Sequence, residues 1–307
     1  MIIPERKLSI ILLIIGTIGI SFGGLIMRSV STADSWQIIF YRALSFVITF
    51  SFVLFYKYRN QFFNKILKTG TYGFLGGIIY MIGNLFFLHS FANTTIGNTL
   101  FTVSTIPFIT AIISYIFLKE KIKKENIFII LVSLIGILII LNESTISGDL
   151  IGILFALLCA LFFSFYILIL RKSKHIDMIP AGLLGGIFIV IVSFIFKKGD
   201  IFIDFNDILL CFLWGAILNG FMNLVFIFST RHLLASEVTF FMLIEFCLGP
   251  IWVWFYFDES LSINSLVGGL IILFCVSVFT FNEIKGSQKF IYKINERRFC
   301  KIILSFL

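Results

Sequence analysis

The chain has 307 residues, of which 59% are hydrophobic and 13% are charged, and its mean hydropathy is +1.08. So little polar surface cannot cover a water-soluble globule of this length, and the composition therefore predicts a membrane protein with several spans. The formal net charge is +8. The basic residues lie mainly between the apolar stretches, so their number is explained without a nucleic-acid partner, and none is predicted.

Ten apolar stretches follow one another along the chain, each close to the roughly 20 residues that a helix needs to cross a bilayer. Runs of this length without strand alternation predict helices, because a helix satisfies its own backbone hydrogen bonds in lipid. The predicted fold class is an all-α integral membrane protein with ten transmembrane helices. The predicted spans are 8–27, 36–56, 70–88, 95–118, 126–142, 149–170, 179–196, 207–228, 235–257 and 263–282.

The basic residues predict the orientation of these spans. Most of the 24 Lys and Arg residues fall in alternate connections, such as 119–124, and in the tail 285–307. The other connections hold only Arg28, Lys197 and Lys198. Because positive residues resist translocation, the pattern predicts a multi-pass protein of the cytoplasmic (inner) membrane with both termini in the cytoplasm.

A weak internal repeat carries the same polar residues through both halves of the chain. The pattern Asn-Leu-x-Phe-x-x-Ser occurs twice, and so does the pattern Ser-Phe-x-x-Leu-Ile-x-Arg. Asn, Ser, Glu and Arg recur at positions where apolar residues are the easier choice in lipid. The matching positions are 84–90 with 223–229, 21–28 with 164–171, and Glu120 with Glu259.

Each half of the chain holds five predicted spans. Because five is an odd number, the second half enters the membrane in the opposite sense, which makes the two repeats inverted. The predicted organisation is a first five-helix repeat over 1–145, a second over 146–284, and a basic cytoplasmic tail over 285–307. Inverted repeats are typical of transporters that work by alternating access.

Several local motifs carry a resemblance to a known family. An Arg lies early in span 2, a Pro in span 4 precedes a Phe-Leu-Lys-Glu-Lys segment, and a Leu-Ile-Gly-Ile segment opens span 6. Together with the repeats, these features resemble the EamA-type transporters of the drug/metabolite transporter superfamily over residues 8–282. The resemblance implies a central cavity lined by the first four helices of each half. The motifs are Phe40–Ala43, Pro107, Phe117–Lys121, Leu150–Ile153 and Glu259–Leu261.

Two charged residues lie well inside predicted spans, away from the span ends, where an ionisable group costs roughly 2.5–3.5 kcal/mol and is expected to face a cavity or a partner. Glu245 lies near the middle of span 9. We expect it to bind a cationic substrate or to carry a coupling proton, and the alternative is a neutral Glu bonded to a neighbouring helix. Arg42 lies early in span 2. It is expected to bind a carboxylate or phosphate or to pair with Glu245, and the alternative is snorkelling to the headgroups.

Four further residues complete the predicted substrate site. Asn84 and Asn223 are repeat partners, so the pseudo-symmetry places them on opposite cavity walls, where amides suit polar solutes. Asn is equally expected as a bond between helices. Tyr80 and Trp214 are placed to stack on a substrate cation or ring, and the alternative is ordinary packing.

The functional prediction is a secondary transporter that moves a small organic solute, such as an amino acid or related metabolite, by alternating access with possible proton coupling. No Walker or dinucleotide motif and no paired cysteines occur, so the sequence predicts no cofactor, no metal and no catalytic residues. The competing classes are a membrane-embedded enzyme and a non-transporting receptor or assembly subunit. The partners expected are the solute and membrane lipid; the sequence leaves open the substrate, the direction of transport, the coupling ion and the oligomeric state.

Overall fold

The computed structural model describes residues 5–119, 124–147, 149–173, 176–229 and 235–282. Within these ranges the regular structure is helical, with no strand. The helices are α1 (Glu5–Ile20), α2 (Gly23–Ser29), α3 (Ser35–Tyr58), α4 (Phe62–Lys68), α5 (Gly70–Asn93), α6 (Ile96–Val103), α7 (Ile106–Leu118), α8 (Lys124–Ser147), α9 (Leu150–Lys172), α10 (Ile179–Phe196), α11 (Phe205–Phe212), a π-helix (Leu213–Gly220), α12 (Phe221–Ser229), α13 (Ala235–Phe257) and α14 (Ile263–Asn282).

In the part of the chain that the structure describes, nine helical segments are long and apolar enough to cross a membrane. They confirm the all-α membrane architecture. They coincide with nine of the predicted spans to within a few residues, except that the segment Ser35–Lys68 extends through α4, well beyond the predicted end at residue 56. The remaining predicted span, 235–257, coincides with α13, whose part Phe241–Phe257 is a shorter apolar helix. The total of ten spans and the inverted repeat stay predictions.

Two of the spans are interrupted near their middle. Between α1 and α2 the chain turns at Ser21, whose hydroxyl donates to the carbonyl of Ile18 at 2.6 Å. Between α6 and α7 it turns at Ser104 and Thr105, and Pro107 occupies the first turn of α7. A proline has no N–H to donate, and hydroxyls that bond to carbonyls of the preceding turn compete with the helical pattern, so both features favour a break.

Pro250, by contrast, does not interrupt its span. Gly249 and Pro250 both disfavour a helix interior, yet α13 runs unbroken from Ala235 to Phe257. A membrane helix tolerates an interior proline when packing against neighbouring helices keeps the helix in place. Val253, one turn beyond, is buried in the central core.

The helices share one core, to which both halves of the chain contribute. Helix α5 packs against α9 and α10, and α3 packs against α10 and the π-helix. The approach of α5 to α10 is close: a Cβ added to Gly77 would lie 3.1 Å from the backbone nitrogen of Gly185. Helices from before and after residue 145 therefore alternate around the space where the candidate site lies.

The bundle has two ends, which we name after one arginine each. At the Arg28 end, the Asp207 carboxylate accepts backbone N–H bonds from Ser31, Thr32 and Ala33 at 3.2, 2.8 and 3.2 Å. At the Arg171 end, the Tyr58 hydroxyl donates to Asp177 at 2.6 Å. The connections at each end are thus fixed by buried or half-buried polar contacts.

Candidate functional site

A small cavity between the two ends brings charged groups from separate helices together. Its volume is about 20 Å³, which is room for water rather than for an organic solute. Three of the six predicted site residues line it, namely Arg42 from α3, Trp214 from the π-helix and Glu245 from α13. The other lining residues are Ile20, Ser21, Gly23, Gly24, Phe87, Phe91, Leu100 and Asn219.

Arg42 is a buried side chain held from two sides. Its Nη2 donates to Asn84 Oδ1 at 2.6 Å, and its Cζ lies 4.8 Å from the centroid of the Trp214 ring. The side chain is 8% exposed, so it lies in the cavity wall and does not reach a bilayer surface. Among the described residues it has no carboxylate partner, which leaves the guanidinium available to an anionic group in the cavity.

The π-helix reaches Arg42 because a glycine allows it. A Cβ at Gly215 would collide with the Arg42 carbonyl oxygen and with Ser45 Oγ, so only glycine permits this approach between α3 and the π-helix. Trp214, the preceding residue, is 1% exposed, and its Nε1 would lie 2.8 Å from a Cβ at Gly23. The Trp214 ring therefore packs between α2 and the Arg42 guanidinium.

The two repeat-related asparagines meet at one tyrosine. The side chains of Asn84 and Asn223 both lie near the side chain of Tyr80. Each Asn also donates to a carbonyl of its own helix, Asn84 to Tyr80 at 3.0 Å and Asn223 to Asn219 at 2.9 Å. The polar groups thus continue from Arg42 through Asn84 and Tyr80 to Asn223, and this row lies beside the cavity instead of on two opposite walls.

Glu245 occupies the α13 side of the cavity with very different surroundings. Its side chain is 8% exposed, and within the described residues it makes no hydrogen bond or ion pair. Ser21, its polar neighbour in the cavity wall, accepts from Trp252 Nε1 at 2.9 Å and donates to Ile18. Neither the expected pairing with Arg42 nor the alternative bond to a neighbouring helix is present in the described structure. A buried carboxyl without a partner is costly, so a proton or a cationic ligand is favoured there.

Metal binding has no counterpart in this arrangement. Among the described residues, no group of three His, Cys, Asp or Glu side chains is placed to hold a metal ion. Two of the histidines, His175 and His232, lie outside the described residues. The chemistry that the cavity offers is therefore that of one guanidinium, one carboxyl group and an aromatic wall.

The sequence analysis missed several residues of this cavity. Ser21 and Gly24 flank the break between α1 and α2, and Asn219 lies one turn before Asn223. The Ser-Phe-Gly-Gly segment at 21–24 was a usable signal, because interrupted membrane helices often line binding sites. Phe91 and Leu100 carried no such signal in a chain with 40 phenylalanines and many leucines.

Residues 7–142 match the EamA-like transporter family. The matched region makes up a little less than half of the chain. The resemblance drawn from the sequence is thereby confirmed over residues 7–142, and the helical segments of the described residues make the chain a multi-pass membrane protein. An uncharacterized transporter of Clostridium kluyveri is 29% identical over 185 residues, 56% of this chain and 57% of that protein.

A second relative of this chain is the uncharacterized transporter YoaV of Bacillus subtilis, which is 25% identical over 196 residues, 60% of this chain and 65% of YoaV. The matched regions thus span less than two thirds of either relative. A solved crystal structure of another protein has 13% identity and a TM-score of 0.64, covering 90% of this chain and 98% of that one. This last likeness concerns the fold alone.

Proposed function

We propose that this EamA-like protein is a secondary transporter that moves an amino acid or related small metabolite across the cytoplasmic membrane by alternating access. One observation carries the proposal: Arg42 and Glu245 line the same buried cavity without pairing to each other. Charges in a membrane interior mark substrate or ion pathways, because they are too costly to keep there without use.

A solute that carries both a carboxylate and an ammonium group fits the Arg42 side and the Glu245 side of the cavity. The Arg42 guanidinium suits a carboxylate, with Asn84 and Trp214 holding it in place. The Glu245 carboxylate suits an ammonium group on the other side of the cavity. The free cavity has too little volume for such a solute, so binding requires the walls to separate.

Separation of the walls is the step that alternating access supplies. We assign residues 1–145 and 146–284 to two inverted five-helix repeats, with the tail 285–307 and both termini in the cytoplasm. The tail lies outside the described residues. The meeting of Asn84 and Asn223 at Tyr80 supports a pseudo-symmetric arrangement, because repeat partners are expected at similar depth.

Glu245 is also our candidate for proton coupling. When no solute is present, protonation removes the charge of a carboxyl group that has no other partner in the described structure. Release of that proton on solute binding would link the two events. In the same cavity the Ser21 hydroxyl donates to the Ile18 carbonyl and not to Glu245, so the described residues show no nucleophile bonded to a base, and we favour a transporter over a membrane-embedded enzyme.

The test is solute counterflow in proteoliposomes loaded with each proteinogenic amino acid in turn. We expect at least one to exchange, and Glu245→Gln to slow its exchange at least about 30-fold, since loss of one partner of a buried charge pair costs about 2 kcal/mol or more. Glu125→Gln is the matched control, because Glu125 is exposed at the start of α8 and far from the cavity lining. Exchange that both variants leave unchanged would refute the assignment of Glu245.

A further inference from the structure

Arg28 and Glu259 form the most extensively bonded ion pair in the described structure. Arg28 Nε donates to Glu259 Oε2 at 2.6 Å. Arg28 also donates through Nη1 to the carbonyl of Phe91 and through Nη2 to the carbonyl of Thr94, both at 2.9 Å. All three nitrogens of the guanidinium are therefore in use at this end of the bundle.

The other oxygen of the carboxylate reaches a third helix. Glu259 Oε1 accepts the backbone N–H of Ile96, the first residue of α6, at 2.7 Å. The pair thus ties α2 to the junction between α5 and α6 and to the segment that follows α13. Glu259 comes from the second predicted repeat, whereas its partners all come from the first.

This network adjoins the cavity. Arg28 lies one turn beyond Gly24 on α2, and both Gly24 and Phe91 line the cavity. Ile96 packs directly on Gly24, where a Cβ would collide with its side chain. The residues that the ion pair fastens together are therefore the wall of the cavity at the Arg28 end.

The exposure of the Arg28–Glu259 ion pair allows it to break as well as to form. The side chains of Arg28 and Glu259 are 27% and 18% exposed, so water reaches both. Charged groups at such a depth can exchange protein partners for water when helices separate, whereas a dry ion pair would be left uncompensated. The backbone groups that Arg28 and Glu259 release would face the same water.

The repeat provides an equivalent arginine at the opposite end. Arg171 is the repeat partner of Arg28, and its Nη1 donates to Ser114 on α7 at 3.2 Å. Glu120, the repeat partner of Glu259, lies outside the described residues. In an inverted repeat, elements that close one end have counterparts that close the other.

We propose that Arg28 and Glu259 are gating residues, whose ion pair closes the cavity at the Arg28 end and breaks when the site opens there. The inference rests on the proposed function and adds two residues to it. Closure requires the wall made by Gly24, Phe91 and Ile96 to stay joined to the segment after α13. Loss of the pair therefore shifts the population toward an opening at this end.

The test measures access to the cavity, and it needs no substrate. A single cysteine replaces the cavity residue Ser21 in a variant whose five native cysteines are changed to serine. A membrane-impermeant maleimide is applied to either face of sealed proteoliposomes, and the labelling rate of Ser21→Cys is measured. Glu259→Gln is expected to raise this rate about tenfold from one face only.

Asp34→Asn is the matched control at the same end. Asp34 pairs with Lys197 at 2.7 Å and does not line the cavity, so its substitution is expected to leave labelling unchanged. Arg171→Gln is expected to raise labelling from the opposite face.

The outcomes separate this proposal from the function itself. Labelling that stays at the parent rate in folded Glu259→Gln, as judged by size-exclusion chromatography, would overturn the gate. If Glu259→Gln does not fold, Arg28→Lys makes the same test, because it keeps the charge but cannot make all three bonds. A failure of amino-acid counterflow with raised labelling would reject the substrate class and leave the gate standing.

Discussion

Arg42 and Glu245 face the same cavity, but only Arg42 is fixed in place by contacts with other side chains. Arg42 bonds to Asn84 and stacks on Trp214, whereas Glu245 has no hydrogen-bonding partner among the described residues. The Arg42 side of the cavity is therefore organised before a ligand binds. The Glu245 side has no bonded partner, so its charge or conformation changes when a proton or a cation binds. The comparison predicts that substitution of Arg42 lowers stability, whereas substitution of Glu245 leaves it nearly unchanged or raises it.

The largest expected effect concerns the glycine that lets the Arg42 wall form. Gly215→Ala would place a methyl group against the Arg42 carbonyl and Ser45, so the π-helix must move away from α3. We expect the free energy of unfolding to fall by about 1–3 kcal/mol or more, measured by thermal unfolding in detergent. Gly19→Ala is the control, because its new Cβ meets only a Leu218 methyl at 3.7 Å. Equal melting temperatures for the two variants would contradict the close approach.

The next effect concerns Arg42 itself. Arg42→Gln removes a charge-assisted hydrogen bond to Asn84 and the contact with Trp214, so we expect a loss of about 2 kcal/mol in the free energy of unfolding. Chemical denaturation of the purified protein measures it. Asn84→Ala in the same experiment should cost a similar amount, and the double variant should cost less than the sum. Strict additivity would show that the two side chains do not interact.

Glu245→Gln is expected to behave differently on the other wall. Because Glu245 has no described partner to lose, we expect its unfolding free energy to change by no more than about 0.5 kcal/mol or to rise. The same denaturation experiment compares it with Arg42→Gln. A loss as large as that of Arg42→Gln would mean that Glu245 is a structural residue.

The smallest effect concerns the Asp34 and Lys197 pair at the Arg28 end, away from both walls. Burial raises the pKa of the Asp34 carboxyl, but hydrogen bonds from Lys197 and from the Gln37 backbone outweigh it, so the pKa lies below its usual value. A carboxyl group whose pKa is lower in the folded state than in the unfolded state stabilises the fold at pH values above the unfolded-state pKa. This stabilisation is lost as the pH falls through the folded-state pKa, here below about pH 4.

Asp34 is largely exposed, so the pair should contribute less than about 1 kcal/mol. Asp34→Asn keeps a capping side chain at the start of α3 and removes only the charge. The variant should fall slightly below the parent protein in stability at pH 7, and this difference should shrink as pH falls toward 3. A larger difference in stability at pH 3 than at pH 7 would contradict the lowered pKa of Asp34 in the folded protein.

The spans themselves were predictable because length and hydropathy decide them. A stretch such as 179–196 is apolar throughout, and the structure places helix α10 over the same residues. The break before Pro107 also has a local cause in the chain. The break at Ser21 has no proline, and the unbroken passage of α13 through Pro250 depends on neighbouring helices, so tertiary packing decides both.

The candidate site was predictable in its charged members but not in its connections. Charges and amides inside spans are few, so Arg42, Glu245 and Asn84 could be selected one by one. Which of them bond depends on the helices that lie side by side, and no local pattern encodes that. The Arg28 and Glu259 pair illustrates the same limit, because the repeat drew attention to both residues while their contact spans the two halves.

The central claim is that one solute bridges Arg42 and Glu245. The most direct test is a thermal-shift titration of the purified protein, Glu245→Gln, Arg42→Gln and Glu125→Gln with the proteinogenic amino acids. A ligand at about 100 Kd should stabilise the protein by about 2.7 kcal/mol. We predict a shift that Glu125→Gln retains and that both cavity variants lose. A shift that survives in Glu245→Gln and in Arg42→Gln would place the binding site elsewhere and contradict the account.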